Sequence, residues 1–268
     1  MSNQTKWVWW QNDNLQPMLF LSPLMLARLF EDGFDTALQR AMLLVVVFII
    51  SYGWSVIFAN RVLQKPTISQ LYFAILFTVF LPTPVGWGGA VLAASFGWVF
   101  AHEVFGSRGF LSPALLALAF GIFSFSDGRY EIKSLFFAKF DLALALACLP
   151  AGLWLLWTDV LSRRVVIGAV LGAGIAATTL TVPQAPLWWQ HLILGTFFPG
   201  ILFIATQSQT APRKPQAQWF YGAVIGGLII TIRLTSPSQP DGVVFALLLG
   251  SLLAPLIDRA TGWRPGHE

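Results

Sequence analysis

Five residues stand where an apolar run breaks and could carry chemistry: Glu103, Ser112, Thr206, Arg233 and Asp241. An ionisable group near hydrocarbon is costly unless it is paired or put to use. His102 and Glu103 adjoin the end of one run, so Glu103 could take a proton or ligate a cation; the plainer reading is a solvated helix end in the headgroup layer. Arg233 and Asp241 bracket the polar stretch TSPSQPDG (235–242) with opposite signs. They suit a structural ion pair that closes the loop, or alternatively an ion or ligand site. Asp258, followed by Arg259, reads as the aqueous end of the last span. His102, His191 and His267 lack metal-ligand spacing, and the one cysteine, Cys148, excludes both a cysteine-ligated cluster and an intramolecular disulfide, so no metal is expected. No P-loop, no G-x-S-x-G elbow and no GxGxxG in a strand-helix setting is present, which leaves a self-contained NTP, acyl-transfer or dinucleotide enzyme unsupported.

The elements that position these residues follow from composition. The chain has 268 residues, 56% hydrophobic and only 10% charged, with mean hydropathy +0.69. Soluble domains carry about a quarter charged residues, so this is an all-α polytopic membrane protein. Nine spans are expected: 41–59, 69–81, 85–101, 111–125, 142–161, 165–182, 192–206, 220–232 and 243–257. A tenth arises if 17–30 inserts; otherwise residues 1–40 form an interfacial segment before a single transmembrane domain over 41–268. The runs 220–232 and 243–257 are short for a bilayer core of roughly 30 Å, and short, Gly- and Pro-interrupted spans point to broken helices. The break 235–242 must be covered by protein, line a wet cavity, or lie at the surface as a plain loop. The order of elements over 41–126 recurs over 165–258, linked by 127–164, which suggests two similar pseudo-symmetric halves. Gly86, Gly88 and Gly89 after the Pro82-Thr83-Pro84 break are expected to permit close helix packing.

The net charge of +4 comes from sixteen Lys and Arg scattered in ones and twos, so it reads as topological and not as a nucleic-acid surface. Arg163-Arg164, Arg213-Lys214, Arg108, Arg61, Lys65, Arg259 and Arg264 fall on one side, expected to be cytoplasmic. The opposing loop 127–141 carries Arg129, Lys133 and Lys139.

Three stretches carry a family resemblance: Glu103-Val104-Phe105-Gly106 leading to Phe110-Leu111-Ser112-Pro113-Ala114-Leu115; Phe203-Ile204-Ala205-Thr206; and Trp219 to Asp258. The last holds Tyr221-Gly222-Ala223, Ile232-Arg233, Pro240-Asp241-Gly242 and Ala254-Pro255-Leu256-Ile257-Asp258. Over roughly 41–258 the chain resembles the paired membrane subunits NqrB, of sodium-translocating NADH:quinone reductase, and RnfD, of the Rnf electron-transport complex. The resemblance implies two similar helical bundles and electron transfer through bound flavins, coupled to ion movement inside a multi-subunit complex in a bacterial-type cytoplasmic (inner) membrane. Any catalytic role would then be that of one subunit of an oxidoreductase or ion translocase, inactive alone.

The family attaches FMN through a phosphoester to a threonine in a loop between the halves. Here the corresponding stretch, 127–141, contains no threonine, so a covalent flavin is excluded there; a non-covalent flavin (riboflavin or FMN) or a quinone is the cofactor that the resemblance leaves. The family's asparagine-proline-alanine turn reads Ser112-Pro113-Ala114, and its threonine-aspartate-proline turn reads Thr206-Gln207-Ser208, so one amide and one carboxylate are replaced. Three readings stand: a subunit of a membrane redox complex, a transporter or channel on the same scaffold, and a membrane anchor without a redox role.

Overall fold

The computed structural model describes residues 21, 34–58, 67–81, 85–105, 111–125, 142–159, 161–180, 187–207, 211–235 and 242–262. Apart from Leu21, the segment 17–30 lies outside the described residues, as do the stretch 127–141 and Asp241. Among the described residues there are ten α-helices, two π-helical turns and no strand. The first half holds α1 (Phe34–Phe58), α2 (Ile68–Phe80), α3 (Trp87–Trp98), which runs on into a π turn over Val99–Val104, and α4 (Pro113–Phe125). Helix α5 (Leu142–Trp157) links it to α6 (Arg163–Thr179), the short α7 (Gln190–Ile193) and α8 (Phe197–Gly200), a second π turn over Ile201–Ala205, α9 (Pro215–Thr235) and α10 (Val243–Ala260).

Local sequence explains the helix ends. Thr67 and Gln70 form a capping box at the start of α2, with the Thr67 amide donating to Gln70 Oε1 at 2.8 Å. At its other end the Arg40 guanidinium, on α1, donates to the carbonyls of Thr78 and Leu81 at 3.0 and 3.3 Å, which takes up acceptors that the helix leaves open. Three described glycines take the left-handed region that an L side chain avoids: Gly195, between α7 and α8, and Gly242, the N-cap of α10, both at φ 61, and Gly262, just after α10, at φ 79.

Three helices, α1, α9 and α10, are long and apolar enough to cross a membrane. The most hydrophobic, α1, has a mean hydropathy of 2.4 over its best window, and only 17% of that window is buried inside the protein. Its Met42, Val45, Ile49 and Ile57 are exposed and fit a lipid-facing surface.

The expectation that 220–232 and 243–257 are short, broken spans is corrected. Helix α9 has 21 residues, about 31 Å at 1.5 Å per residue, and α10 has 18, about 27 Å. Counting apolar residues alone missed the first turn, where Pro215 is suited to open a helix because its position needs no N–H donor, and where the polar Gln218 donates its backbone amide to the Lys214 carbonyl at 3.0 Å. A broken segment that the sequence did not announce lies at 190–205, where α7, Gly195, α8 and the π turn follow one another.

Backbone contact between α6 and α9 sets the architecture of the second half. A Cβ on Gly168 would lie 2.6 Å from the carbonyl oxygen of Trp219, and on Gly172, Gly222 or Gly226 it would strike the carbonyls of Ala223, Val165 or Ala169. These are two small-xxx-small faces in direct apposition. Val165 faces Gly222 and Ala169 faces Gly226, so the two helices run parallel and the chain between them must cross back. In the first half α3 and α4 run antiparallel, with Gly89 against Phe125 and Gly97 against Ala117 and Pro113. Of the three glycines expected to allow close packing, only Gly89 meets a neighbour, while Gly86 and Gly88 face open space.

The halves meet where α4 packs on α10 and where Tyr72 of α2 reaches the second π turn.

Candidate functional site

The first π turn builds the site around Glu103. Its bonding widens from four residues to five, as in the bond from the Phe105 amide to the Phe100 carbonyl at 3.0 Å, so Trp98 and Glu103 come to share a face. The Glu103 Oε1 atom accepts from Ser55 Oγ at 2.7 Å, from Trp98 Nε1 at 3.2 Å and lies 3.3 Å from His102 Nδ1. Trp98 Nε1 also donates to Ser55 Oγ at 3.0 Å. The imidazole of His102 stacks on the Trp98 indole with centroids 4.2 Å apart and planes 13° from parallel. The other neighbour of that indole is Phe73, at 5.1 Å. Side-chain exposure is 14% for Glu103 and 27% for His102, which leaves the carboxylate partly withdrawn from water and held by donors.

A second polar cluster surrounds the other π turn. The buried Tyr72 hydroxyl donates to the Phe203 carbonyl at 2.8 Å and accepts from Gln207 Nε2 at 2.9 Å. Thr206 is buried and its hydroxyl donates to the Leu202 carbonyl at 2.5 Å. Gln207 thus joins the two halves by a neutral hydrogen bond. Adjacent residues of α2 reach both clusters, Phe73 against Trp98 and Tyr72 against the second π turn.

Of the expected site residues, Ser112 is buried at the start of α4, where the next residue, Pro113, packs against Gly97, one position before Trp98. Glu103, Ser112 and Thr206 therefore fall toward one end of the bundle. Arg233 is buried too, at 7% exposure. Its guanidinium donates to the carbonyls of His191 at 2.6 Å and Leu194 at 2.8 Å and lies 6.0 Å over the Phe197 ring. These acceptors precede Thr206 by the α8 and π segment, which at 1.5 Å per residue carries the chain roughly 15 Å. Arg233 thus belongs to the opposite end, fastening the broken segment to α9. Its partner in the ion-pair reading, Asp241, lies outside the described residues.

The expectation that Asp258 ends the last span in water is corrected. It is 7% exposed, and its Oδ1 accepts from the Arg213 amide at 3.1 Å. Lys214 Nζ donates to the Thr261 carbonyl at 2.7 Å, and Ser162 Oγ to Gln218 Oε1 at 2.8 Å. Arg163-Arg164, Arg213-Lys214 and Arg259 are gathered at one end of the bundle by these bonds, and the Tyr72–Gln207 contact places the start of α2 at that end as well.

Ser55, Trp98, Tyr72 and Gln207 were not among the expected site residues. The signal that was available is a serine, Ser55, inside the most apolar span, with Trp98 four positions before His102.

The model of the NQR2, RnfD, RnfE family matches residues 10–143 and 129–265 of the chain. The chain belongs to this family. Among its relatives is the NqrB subunit of the Na(+)-translocating NADH-quinone reductase of Ectopseudomonas mendocina, 30% identical over an alignment of 261 positions that covers 80% of this chain and 64% of the relative. The NqrB subunit of Azotobacter vinelandii is also 30% identical, and that of Pseudoalteromonas atlantica 29%, with the same coverage. The chain therefore spans 64% of the length of these relatives. Family membership accords with the all-α, polytopic architecture.

Proposed function

We propose that the chain is a membrane subunit of an NqrB/RnfD-like electron-transport complex, coupled to ion movement and seated in a bacterial-type cytoplasmic membrane among partner subunits. The observation that carries this reading is the family match across both halves, residues 10–143 and 129–265. Glu103, Ser112 and Thr206, which fall toward one end of the bundle, are the residues proposed for a cofactor site or ion path between the halves; Arg233, at the opposite end, is proposed as the tie of the broken segment, and Asp241 is proposed from its place in the sequence alone.

A flavin or quinone is part of the proposal, and the residues present constrain how it would be held. The stretch 127–141 offers no threonine, only Ser134 as an alkyl hydroxyl, and the Thr206 hydroxyl is buried and engaged by its own helix, so neither supplies the family's threonyl phosphoester. Riboflavin, FMN or a quinone would be bound by non-covalent contacts alone and would supply the electron-accepting ring. The chain's own contribution is a partly buried carboxylate and a neutral bridge between halves.

The test is purification from the native membrane with an absorption spectrum and identification of co-purifying chains. Flavin absorption, or quinone in the organic extract, together with redox subunits is the expected result; a colourless, quinone-free protein that purifies alone would overturn it. The reading as an anchor without a redox role is favoured by one observation, the absence of a threonine from 127–141, and the same experiment decides it. A transporter or channel would show solute flux in vesicles with no bound redox group.

A further inference from the structure

We propose that the basic end of the second half docks the headgroup of an anionic phospholipid, centred on Arg164 and Arg259, with the acyl chains along the exposed stripe of α6. Such a site requires nothing of the redox reading. Hydrogen bonds draw separate stretches of the sequence together here. Gln218 accepts from Ser162 Oγ at 2.8 Å and donates to the Pro212 carbonyl at 3.1 Å, which sets Arg163-Arg164 and Arg213-Lys214 about one glutamine. The Asp258 carboxylate, in accepting from the Arg213 amide at 3.1 Å, brings in Arg259. Ser162, Pro212 and Asp258 each stand just before a basic residue, and each is held in this network.

The charges gathered there are not balanced from within. Five described basic residues meet two carboxylates, Asp159 and Asp258. Asp159 is taken by Arg163 at 2.8 Å, and Asp258 is buried on the Arg213 amide. Arg164 and Arg259 are exposed and make no ion pair among the described residues. Position raises the potential further. Arg163-Arg164 open α6 and Arg213-Lys214 directly precede the parallel helix α9, and neither helix has an acidic residue in its first turn. The side-chain charges therefore add to the positive ends of two helix dipoles where acidic residues would offset them. What relieves the accumulated charge is an anion from outside the chain.

The surroundings of the patch point to a lipid. On α6, Ile167, Leu171 and Ile175 follow Arg164 at helical spacing and are all exposed, so the guanidinium heads an apolar stripe that runs into the membrane. Trp157 is 78% exposed and adjoins Leu156, whose carbonyl accepts from Arg163 Nε at 2.9 Å. Trp219 is exposed in the second turn of α9. Indole rings settle at the headgroup level, which sets this end at the membrane–water boundary. A phosphate on guanidinium groups at that depth, with chains on the contiguous stripe, engages both parts of the surface. A soluble acidic protein would engage the charges alone.

The test is native mass spectrometry of the full chain in detergent micelles holding equimolar phosphatidylglycerol and phosphatidylcholine, with thermal melts in nanodiscs of each lipid. The chain should retain phosphatidylglycerol in preference to phosphatidylcholine and melt higher in its presence. Arg164→Gln and Arg259→Gln should each reduce that preference about fivefold, and Arg164→Lys should keep most of it. Arg129→Gln with Lys133→Gln, which removes two charges from 127–141, should leave it intact. In phosphatidylcholine the variants should melt with the parent chain, since the substituted side chains are exposed; a preference lost only where this melt also falls counts against the site. Four outcomes overturn the proposal: no preference in the parent chain, an equal loss in the Arg129 and Lys133 variant, full displacement of the lipid by glycerol phosphate, or equally tight binding of an oligoglutamate peptide in phosphatidylcholine nanodiscs, the mark of an acidic protein partner.

Discussion

At the scale of single residues, the polar atoms that matter are those that the apolar bundle has enclosed with a partner. Removing one partner leaves the other buried and unpaired, at about 1–3 kcal/mol. Tyr72→Phe deletes the hydroxyl that donates to Phe203 and receives Gln207, so it should lower stability by about that amount in a chemical or thermal melt. Adding Gln207→Leu removes the amide that has lost this acceptor, and the double variant should recover part of the loss; a double variant less stable than either single one would show that the pair is not coupled in this way. Ser55→Ala should cost a similar amount, because the hydroxyl both donates to Glu103 and accepts from Trp98. These costs were hidden in the sequence. Ser55 and Glu103 are 48 positions apart and Tyr72 and Gln207 are 135 apart, and no local pattern couples such positions.

At the scale of elements, two devices hold the second half together. The first is direct backbone contact between α6 and α9. A methyl at Gly226 would meet the Ala169 carbonyl and the backbone nitrogen of Ala173, which are not flexible side-chain tips. Gly226→Ala should therefore separate the helices and cost about 1–3 kcal/mol as overpacking, whereas Gly227→Ala on the neighbouring face should be nearly silent. The contrast is readable in paired thermal melts, and equal effects at the two positions would refute the parallel packing. The second device is Arg233, which ties the broken segment 190–205 to α9 through the His191 and Leu194 carbonyls. Arg233→Lys keeps the charge but not the fork that reaches both oxygens, so it should lose one such bond, about 1.5–3 kcal/mol. Broken helices were an expectation from the Gly and Pro content; the two C-terminal spans are longer than expected and the break inside 190–205 was not foreseen, since a run of apolar letters does not report where a helix can open with polar residues.

At the scale of the whole molecule, the end of the bundle that gathers Arg163-Arg164, Arg213-Lys214 and Arg259 is expected to face the cytoplasm. Reporter fusions after Trp263 and within 129–139 should then report opposite sides of the membrane, and agreement between them would reject this orientation. The protein is also expected to show no flavin fluorescence after denaturing electrophoresis, because 127–141 has no acceptor threonine; a fluorescent band would refute that. What the sequence alone determined is whatever depends on composition and local order: an all-α membrane protein, the places of most helices, and membership of a family whose motifs survive as contiguous strings. Hydrophobicity and short-range spacing are properties of neighbours along the chain, so they can be read without coordinates. Only the tertiary structure decided that α6 and α9 run parallel, that Asp258 is buried against the Arg213 amide, and that Ser55, Trp98, His102 and Glu103 form one cluster away from Arg233. Each of those facts depends on helices approaching one another, and a π turn that moves a side chain to a new face leaves no trace in the order of residues.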